Sequence, residues 1–197
     1  MVSGPNDLYS RPLPGYITLL AEFFRVGLGL PFHPYLRQAL RRLNVAPMQL
    51  NSNAYRILIS YFVLWTKNYT SELSFRAFQN LYRMKTALPS IGSYYFQGYQ
   101  GTFITGCPDS DKNYKHLWFF AAGRWLHGRL PYDEVTPWER VPITFRRGYV
   151  WTQGLYTDAR NLERIEKLHE KADPERNQNR LLSVRHPHPI TLMTDQE

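Results

Sequence analysis

The sequence predicts an α+β fold in which a three-helix N-terminal layer packs with a small antiparallel sheet, plus a C-terminal charged helix. Apolar residues recur at the spacing of one helix face in residues 35–43 and 71–84, and residues 54–66 are apolar almost all round. After Pro89, short aromatic runs alternate with glycine-containing turns, which is typical of strands. The 197 residues suffice for one hydrophobic core that needs no disulfide or metal.

Three parts of the chain differ in composition. Residues 1–15 combine proline, glycine and small polar residues without apolar periodicity, so we expect a flexible N-terminus. Residues 16–152 are predicted to form a single globular domain. Residues 153–197 are predicted to hold a helix over residues 158–172 and a disordered tail, because the chain is polar from Asp173 onward.

The first elements of the domain follow from turn and capping residues. Residues 16–20 favour a strand, and residues 21–26 favour a helical turn that Gly27 ends. Two prolines then bracket a turn into the amphipathic helix of residues 35–43, whose outer face is basic.

The later elements follow from caps and from aromatic runs. Asn51, Ser52 and Asn53 are good helix N-caps, so a core helix is expected over residues 54–66. A third helix is expected over residues 71–84, with aromatic residues on its inner stripe. The remaining expectations are strands at residues 94–96, 102–104 and 117–120, a connector at 123–142, and a further strand or hairpin at 141–151.

The formal net charge of +8 is concentrated in the N-terminal half. Residues 1–100 hold ten Arg and Lys against three Asp and Glu, whereas residues 151–197 hold seven against eight. Arginine supplies 18 of the 24 cations, and its planar guanidinium pairs with phosphate and stacks on bases. The charge permits binding to RNA or DNA, and the alternative is a solvated basic surface. The candidate phosphate contacts are Arg37, Arg41, Arg42, Arg76, Arg83, Lys85, Lys112 and Lys115.

The aromatic residues of the predicted strands have two interpretations. They fill the core between helices and sheet, or they stack on bases if one sheet face is exposed. The residues concerned are Tyr94, Tyr95, Phe96, Trp118, Phe119 and Phe120.

Cysteine usage and hydropathy bear on the compartment. The single cysteine, Cys107, excludes an intramolecular disulfide and zinc fingers built on two cysteines, which indicates a reducing compartment. The N-terminus has no secretory signal pattern, and the longest apolar run, residues 57–65, is far shorter than the roughly 20 residues that cross a bilayer. We therefore expect an intracellular protein of the nucleus or cytoplasm, with no cofactor and no membrane association.

Catalytic and metal sites find little support in the sequence. Metal-dependent strand transfer needs three carboxylates around two divalent cations, in a pattern of alternating strands and helices that this chain lacks. The carboxylates available for it are Asp109, Asp111, Asp133, Glu134 and Glu139. Residues 109–113 begin like a calcium loop but lack its turn glycine and closing glutamate. We interpret Cys107 as a small buried hydrophobe and the pair His186 and His188 as incidental, so no catalytic or metal residue is assigned.

Several segments occur in the order of a known family signature. They are Glu22-Phe23-Phe24 before Gly27-Leu28, the turn Pro31-Phe32-His33-Pro34, the segment from Leu50 to Arg56, Tyr94-Tyr95-Phe96, and the run from Gly106 to Phe120. This series resembles the plant gypsy-type transposon domain family, also called a gypsy-type transposase domain, over roughly residues 16–122. Tyr114 stands where tryptophan is usual in that family, and Cys107, Asp109 and Asp111 make the loop more acidic.

The resemblance implies a domain encoded by, or derived from, a plant gypsy-class retrotransposon. Such elements encode a structural polyprotein that binds their RNA, together with a protease, a polymerase and an integrase. The chain has neither the Asp-Thr/Ser-Gly triplet of aspartic proteases nor the Asp-Asp pair of polymerases. We expect a non-enzymatic nucleic-acid-associated or assembly module. The alternatives are a protein-interaction scaffold, in which the helix of residues 158–172 pairs with a partner or with itself, and a metal-dependent transposase.

Overall fold

Helices and two small antiparallel sheets make up the computed structural model, which describes residues 16–73, 75–87, 93–109, 117–122 and 159–183. The α+β class is thereby confirmed. In chain order the α-helices and strands are β1 (Ile17–Leu20), α1 (Ala21–Arg25), α2 (Pro34–Leu43), α3 (Ser52–Asn68), α4 (Phe75–Leu81), β2 (Tyr82–Thr86), β3 (Tyr94–Gly98), β4 (Trp118–Ala121), α5 (Ala159–His169), α6 (Asp173–Arg176) and α7 (Gln178–Ser183), and a 3-10 helix (Pro47–Gln49) precedes α3. The arrangement of three helices as a single layer stays a prediction.

Helix α2 begins and ends at residues whose backbone and side chains suit helix termini. Pro34 stands in the first turn, and His33 caps the helix because its Nδ1 accepts a hydrogen bond from Tyr35 N at 3.2 Å. Asn44, in the left-handed conformation with φ of 52°, ends it. The predicted helix of residues 35–43 is confirmed and begins one residue earlier.

Helix α3 runs through the core. Asn51 Oδ1 accepts a hydrogen bond from Ala54 N at 2.8 Å and so caps the first turn. Tyr55, Tyr61 and Trp65 are fully buried, and Tyr55 OH donates to Pro47 O at 2.8 Å. The expectation of a core helix is confirmed, and the helix extends beyond residues 54–66 at both ends.

The prediction of one helix over residues 71–84 is wrong. Helix α4 ends at Leu81, and the chain continues directly into β2, which pairs with β3 from Tyr82↔Gly98 to Thr86↔Tyr94. The Tyr82 ring stacks on the Phe78 ring, with 5.1 Å between their centroids. The two residues are four apart in the chain, so the same contact would also occur in a helix that continued through Tyr82. A short apolar pattern does not distinguish a helix end from a strand, and pairing with β3 decides it.

The strands form two separate ladders and not one sheet. In the first, β1 pairs antiparallel with β4, from Ile17↔Ala121 to Leu20↔Trp118. The second is the β2–β3 hairpin. The strand predicted at residues 102–104 is not formed, because the backbone there is bound otherwise: Ile104 N donates to Tyr82 OH at 2.7 Å, and Phe103 O accepts from Arg176 Nη1 at 3.1 Å.

Aromatic residues of the strands largely fill the core. Tyr94, Phe96 and Phe120 are buried, whereas Tyr95, Trp118 and Phe119 are half-buried. The Phe96 ring meets Phe78 edge-on at 4.9 Å. Their packing favours the core interpretation over base stacking.

The described C-terminal segment docks on the domain. Helix α5 lies within the predicted range 158–172, and its Ile165 and Leu168 are buried. Residues 173–183, for which the sequence predicts disorder, form α6 and α7, because Gln178 N donates to Thr105 O at 2.8 Å and Leu181 is buried. The domain boundaries stay a prediction.

Several predictions fall outside the described residues. These are the flexible lead of residues 1–15, the connector at 123–142, the strand or hairpin at 141–151, and the tail beyond residue 183. Within the described part, none of the helices has the length and apolar character that crossing a membrane requires.

Candidate nucleic-acid interface

The basic face of α2 borders a groove, which we call the α2 groove. It lies between α2, the C-terminal half of α3 and the segment of residues 69–73, and its volume is about 670 Å³. Arg37, Arg41 and Arg42 all line it. Residues four apart on a helix share a face, which explains why Arg37 and Arg41 reach the same groove.

Phe62 of α3 and Tyr69, which directly follows α3, form an aromatic part of the lining. Phe62 is half-buried, with Tyr35 stacked at 5.4 Å between ring centroids and His33 at 4.5 Å. Tyr69 lies 4.9 Å from Trp65, and its hydroxyl donates to Arg164 O at 2.9 Å. These contacts fix both the Phe62 and the Tyr69 rings against the core.

Three polar atoms of the groove-lining residues are buried without a hydrogen-bond partner among the described residues. They are Tyr35 OH, Arg37 Nε and Ser71 Oγ. Each carries an O–H or N–H donor, and an unmade buried hydrogen bond costs about 1–3 kcal/mol. These three atoms have almost no solvent-accessible surface, so a ligand in the groove reaches them only if the side chains move.

The positive charge of the groove comes from its arginines and not from His33. Burial, followed by the nearby Arg37 charge, lowers the pKa of His33 below its ordinary value. His33 is therefore neutral at pH 7, with Nδ1 accepting from Tyr35 N and the proton on Nε2. Glu72 adds one carboxylate to the lining.

The remaining predicted cations lie elsewhere. Arg76 is exposed on α4. Arg83 and Lys85 stand two residues apart on β2, which places them on one face of the hairpin. Arg83 Nε donates to Gln97 Oε1 at 3.2 Å, and its guanidinium lies 5.8 Å from the Tyr99 ring. Lys112 and Lys115 lie outside the described residues.

Sequence reasoning identified the arginines of the groove but not the residues that lie opposite them. It found the three arginines through helix periodicity, but it did not connect them with His33, Phe62, Ser71 or Glu72. The last two follow α3, about 30 residues after α2, and only packing brings them to the arginines. No spacing in the sequence indicates that contact.

The carboxylate hypothesis stays untested. Within the described ranges, no group of three or more His, Cys, Asp or Glu could hold a metal ion. Asp109 is exposed, whereas Asp111, Asp133, Glu134 and Glu139 lie outside those ranges, as do His186 and His188. Cys107 is half-buried and packs against the hydrophobic core, so it is less buried than the sequence interpretation expects.

Comparison with known proteins places the groove within a family segment. A family model described as "Putative gypsy type transposon" matches residues 17–86. No curated protein and no solved structure matches the chain. The matched segment ends with β2, so it contains every residue that lines the α2 groove and leaves out β3, β4 and α5 to α7. Residues 17–86 are thus identified with the gypsy-type transposon family, which confirms the resemblance over that part of the chain.

Proposed function

We propose that this protein is a non-enzymatic, nucleic-acid-associated module of a gypsy-type element. The observation that carries the proposal is the gathering of Arg37, Arg41 and Arg42 in one groove. A guanidinium pairs bidentately with phosphate, so the groove suits a nucleic-acid backbone. The family identity and the net charge of +8 support the same role.

Binding of this kind depends steeply on salt. If the three arginines each neutralise one phosphate, the logarithm of affinity falls against the logarithm of salt with a slope of about −2 for a single strand or −3 for a duplex. Sequence preference is weak, because phosphates carry no sequence information.

Fluorescence anisotropy with RNA and DNA oligonucleotides, between about 50 and 200 mM salt, tests the proposal. The variant R37Q/R41Q/R42Q is compared with R25Q/R160Q/R180Q, which removes the same charge from exposed positions outside the groove. We expect the groove variant to lose tenfold or more in affinity and to show a shallower salt slope. Absence of binding at low salt, or equal losses in both variants, would overturn the proposal.

The scaffold alternative has a weaker basis. The face of α5 that would pair with a partner helix carries the apolar residues Leu162, Ile165 and Leu168. Ile165 and Leu168 are buried within the chain itself, and Leu162 is 41% exposed. The hypothesis stays a prediction. Light scattering of the wild-type protein and of the variant Leu162→Gln tests it, because removal of residues 157–197 would also remove the contacts of α5 and α7 with the domain. The strand-transfer alternative predicts metal-dependent nicking that Asp109→Ala or Asp111→Ala abolishes.

A further inference from the structure

The α2 groove joins two kinds of surface that together recognise unpaired nucleotides. Arginines of α2 supply positive charge, and Phe62 and Tyr69 supply aromatic surface. Proteins that bind single strands combine such a charged groove with aromatic rings on which bases stack.

The groove also has the size for a nucleotide. Its volume of about 670 Å³ falls within the range of sites that enclose a drug-sized ligand. A base within a duplex is stacked on both faces and paired at its edge, so it cannot enter such a site unless it leaves the helix. The groove therefore holds a base only if that base is unpaired, whereas a duplex would meet the arginines through its phosphates alone.

The polar atoms of the lining match the acceptors and donors of a nucleotide. Arg37, Arg41 and Arg42 carry guanidinium donors and Ser71 carries a hydroxyl, and phosphate and base carbonyl oxygens are acceptors. Glu72 would repel a bare anion, but it can accept a hydrogen bond from an exocyclic amino group of a base.

We infer that the α2 groove binds an unpaired nucleotide of a single-stranded nucleic acid, with the base against Phe62 and the phosphate beside Arg37. This inference rests on the proposed function and specifies the form of nucleic acid that the groove takes. The Phe62 ring is the positioned stacking surface, because Tyr35 and His33 hold it in place.

Anisotropy titrations with a single-stranded DNA and with the blunt duplex of the same length and sequence test the inference. The variant Phe62→Leu removes the ring and keeps an apolar side chain. Its matched control is Phe24→Leu, since Phe24 is a half-buried aromatic that packs on Phe119 at 5.6 Å, away from the groove. We expect F62L to weaken single-strand binding about tenfold and to leave duplex binding unchanged, with F24L altering neither.

The outcomes separate this inference from the proposed function. If both nucleic acids bind equally and F62L weakens neither, the groove does not take an unpaired base, whereas the nucleic-acid-associated role stands. If the wild-type protein binds neither, both fail. Should F62L not fold, photocrosslinking of a 5-bromouracil-containing single strand to the wild-type protein decides. An adduct on a residue that lines the α2 groove supports the inference, and adducts confined to residues outside the groove overturn it.

Discussion

Arg56 connects two segments of the family signature. Its Nη2 lies 2.8 Å from Glu22 Oε1, and its Nη1 donates to Asn53 Oδ1 at 2.8 Å. The neighbouring residues also meet, since the Phe23 and Tyr55 rings are 4.4 Å apart. The acidic-aromatic and aromatic-arginine pairs of the signature thus join α1 to α3, which gives them a structural role.

We expect Glu22→Gln to lower the free energy of unfolding by about 2 kcal/mol, because it leaves the largely buried Arg56 charge without its carboxylate. The Arg56 and Glu22 side chains are only 12% and 19% exposed. The matched control is Glu163→Gln, whose partner Lys167 is 60% exposed on α5, and its unfolding midpoint should not change. Urea denaturation measures both, and equal midpoints for the two variants would contradict the prediction.

His33 makes stability depend on pH. Its pKa is lowered by burial and then by Arg37, so the unfolded chain takes up a proton more readily than the folded one. Stability is therefore full above about pH 6.5, the ordinary histidine pKa, and falls as the pH drops below it. The pKa of His169 is lowered as well, by burial and by Arg176, and acts in the same direction.

The variant His33→Asn tests this dependence, because asparagine also caps a helix and does not titrate. Between pH 7.5 and pH 5, we expect the urea midpoint to fall less in H33N than in the wild-type protein. The part of the fall that remains belongs to His169 and to other groups. An identical fall in both proteins would show that His33 does not contribute.

At the scale of elements, local signals predicted some parts and tertiary contacts decided others. Helix α2 was predictable from the spacing of its apolar residues and the two prolines before residue 35, and α3 from its apolar run and its capping residue Asn51. The end of α4 could not be predicted from the local sequence, because the pairing of β2 with β3 determines it. The order of residues 173–183 depends on contacts with Phe103 and Thr105, about 70 residues away, which no local pattern reveals.

Arg176 is the main side-chain link in that docking. Its Nε donates to Lys171 O at 3.0 Å, its Nη1 donates to Phe103 O at 3.1 Å, and its guanidinium lies 5.6 Å from the Phe103 ring. The amides of Thr105 and Gln178 complete the contact between the two segments.

We expect Arg176→Gln to accelerate hydrogen exchange at the Thr105 and Gln178 amides about tenfold, because local opening becomes easier once the link is lost. The control Arg180→Gln changes an exposed arginine of α7 and should leave both rates unchanged. Exchange measured by NMR resolves the individual amides. Unchanged rates in R176Q would mean that the remaining contacts, among them the buried Leu181 and the hydrogen bond from Gln178 Nε2 to Gly106 O, hold α6 and α7 without it.

For the whole molecule, the folding unit extends beyond the segment that matches the family. Strand β1 lies inside the match, and its partner β4 lies outside it. Helix α3 likewise contacts α7, and Tyr69 at its end binds Arg164 O of α5. The matched segment therefore depends on later parts of the chain for its burial.

A chain limited to residues 16–87 should consequently fail to unfold cooperatively in urea, because β1 has no partner and part of α3 is uncovered. The control chain of residues 1–183 retains every described element and should show one cooperative transition. A cooperative transition of the shorter chain, with dispersed amide proton signals, would contradict this expectation.

The β1–β4 ladder also has a consequence during protein synthesis. All four residues of β1 are buried in the folded protein, yet their partners are translated about 100 residues later. At roughly 5–20 residues per second, a ribosome needs on the order of 5–20 s to reach β4 after it has made β1. For that time the apolar strand has no partner and exposes an unpaired edge, so we expect the nascent chain to be most prone to aggregation before translation reaches Ala121.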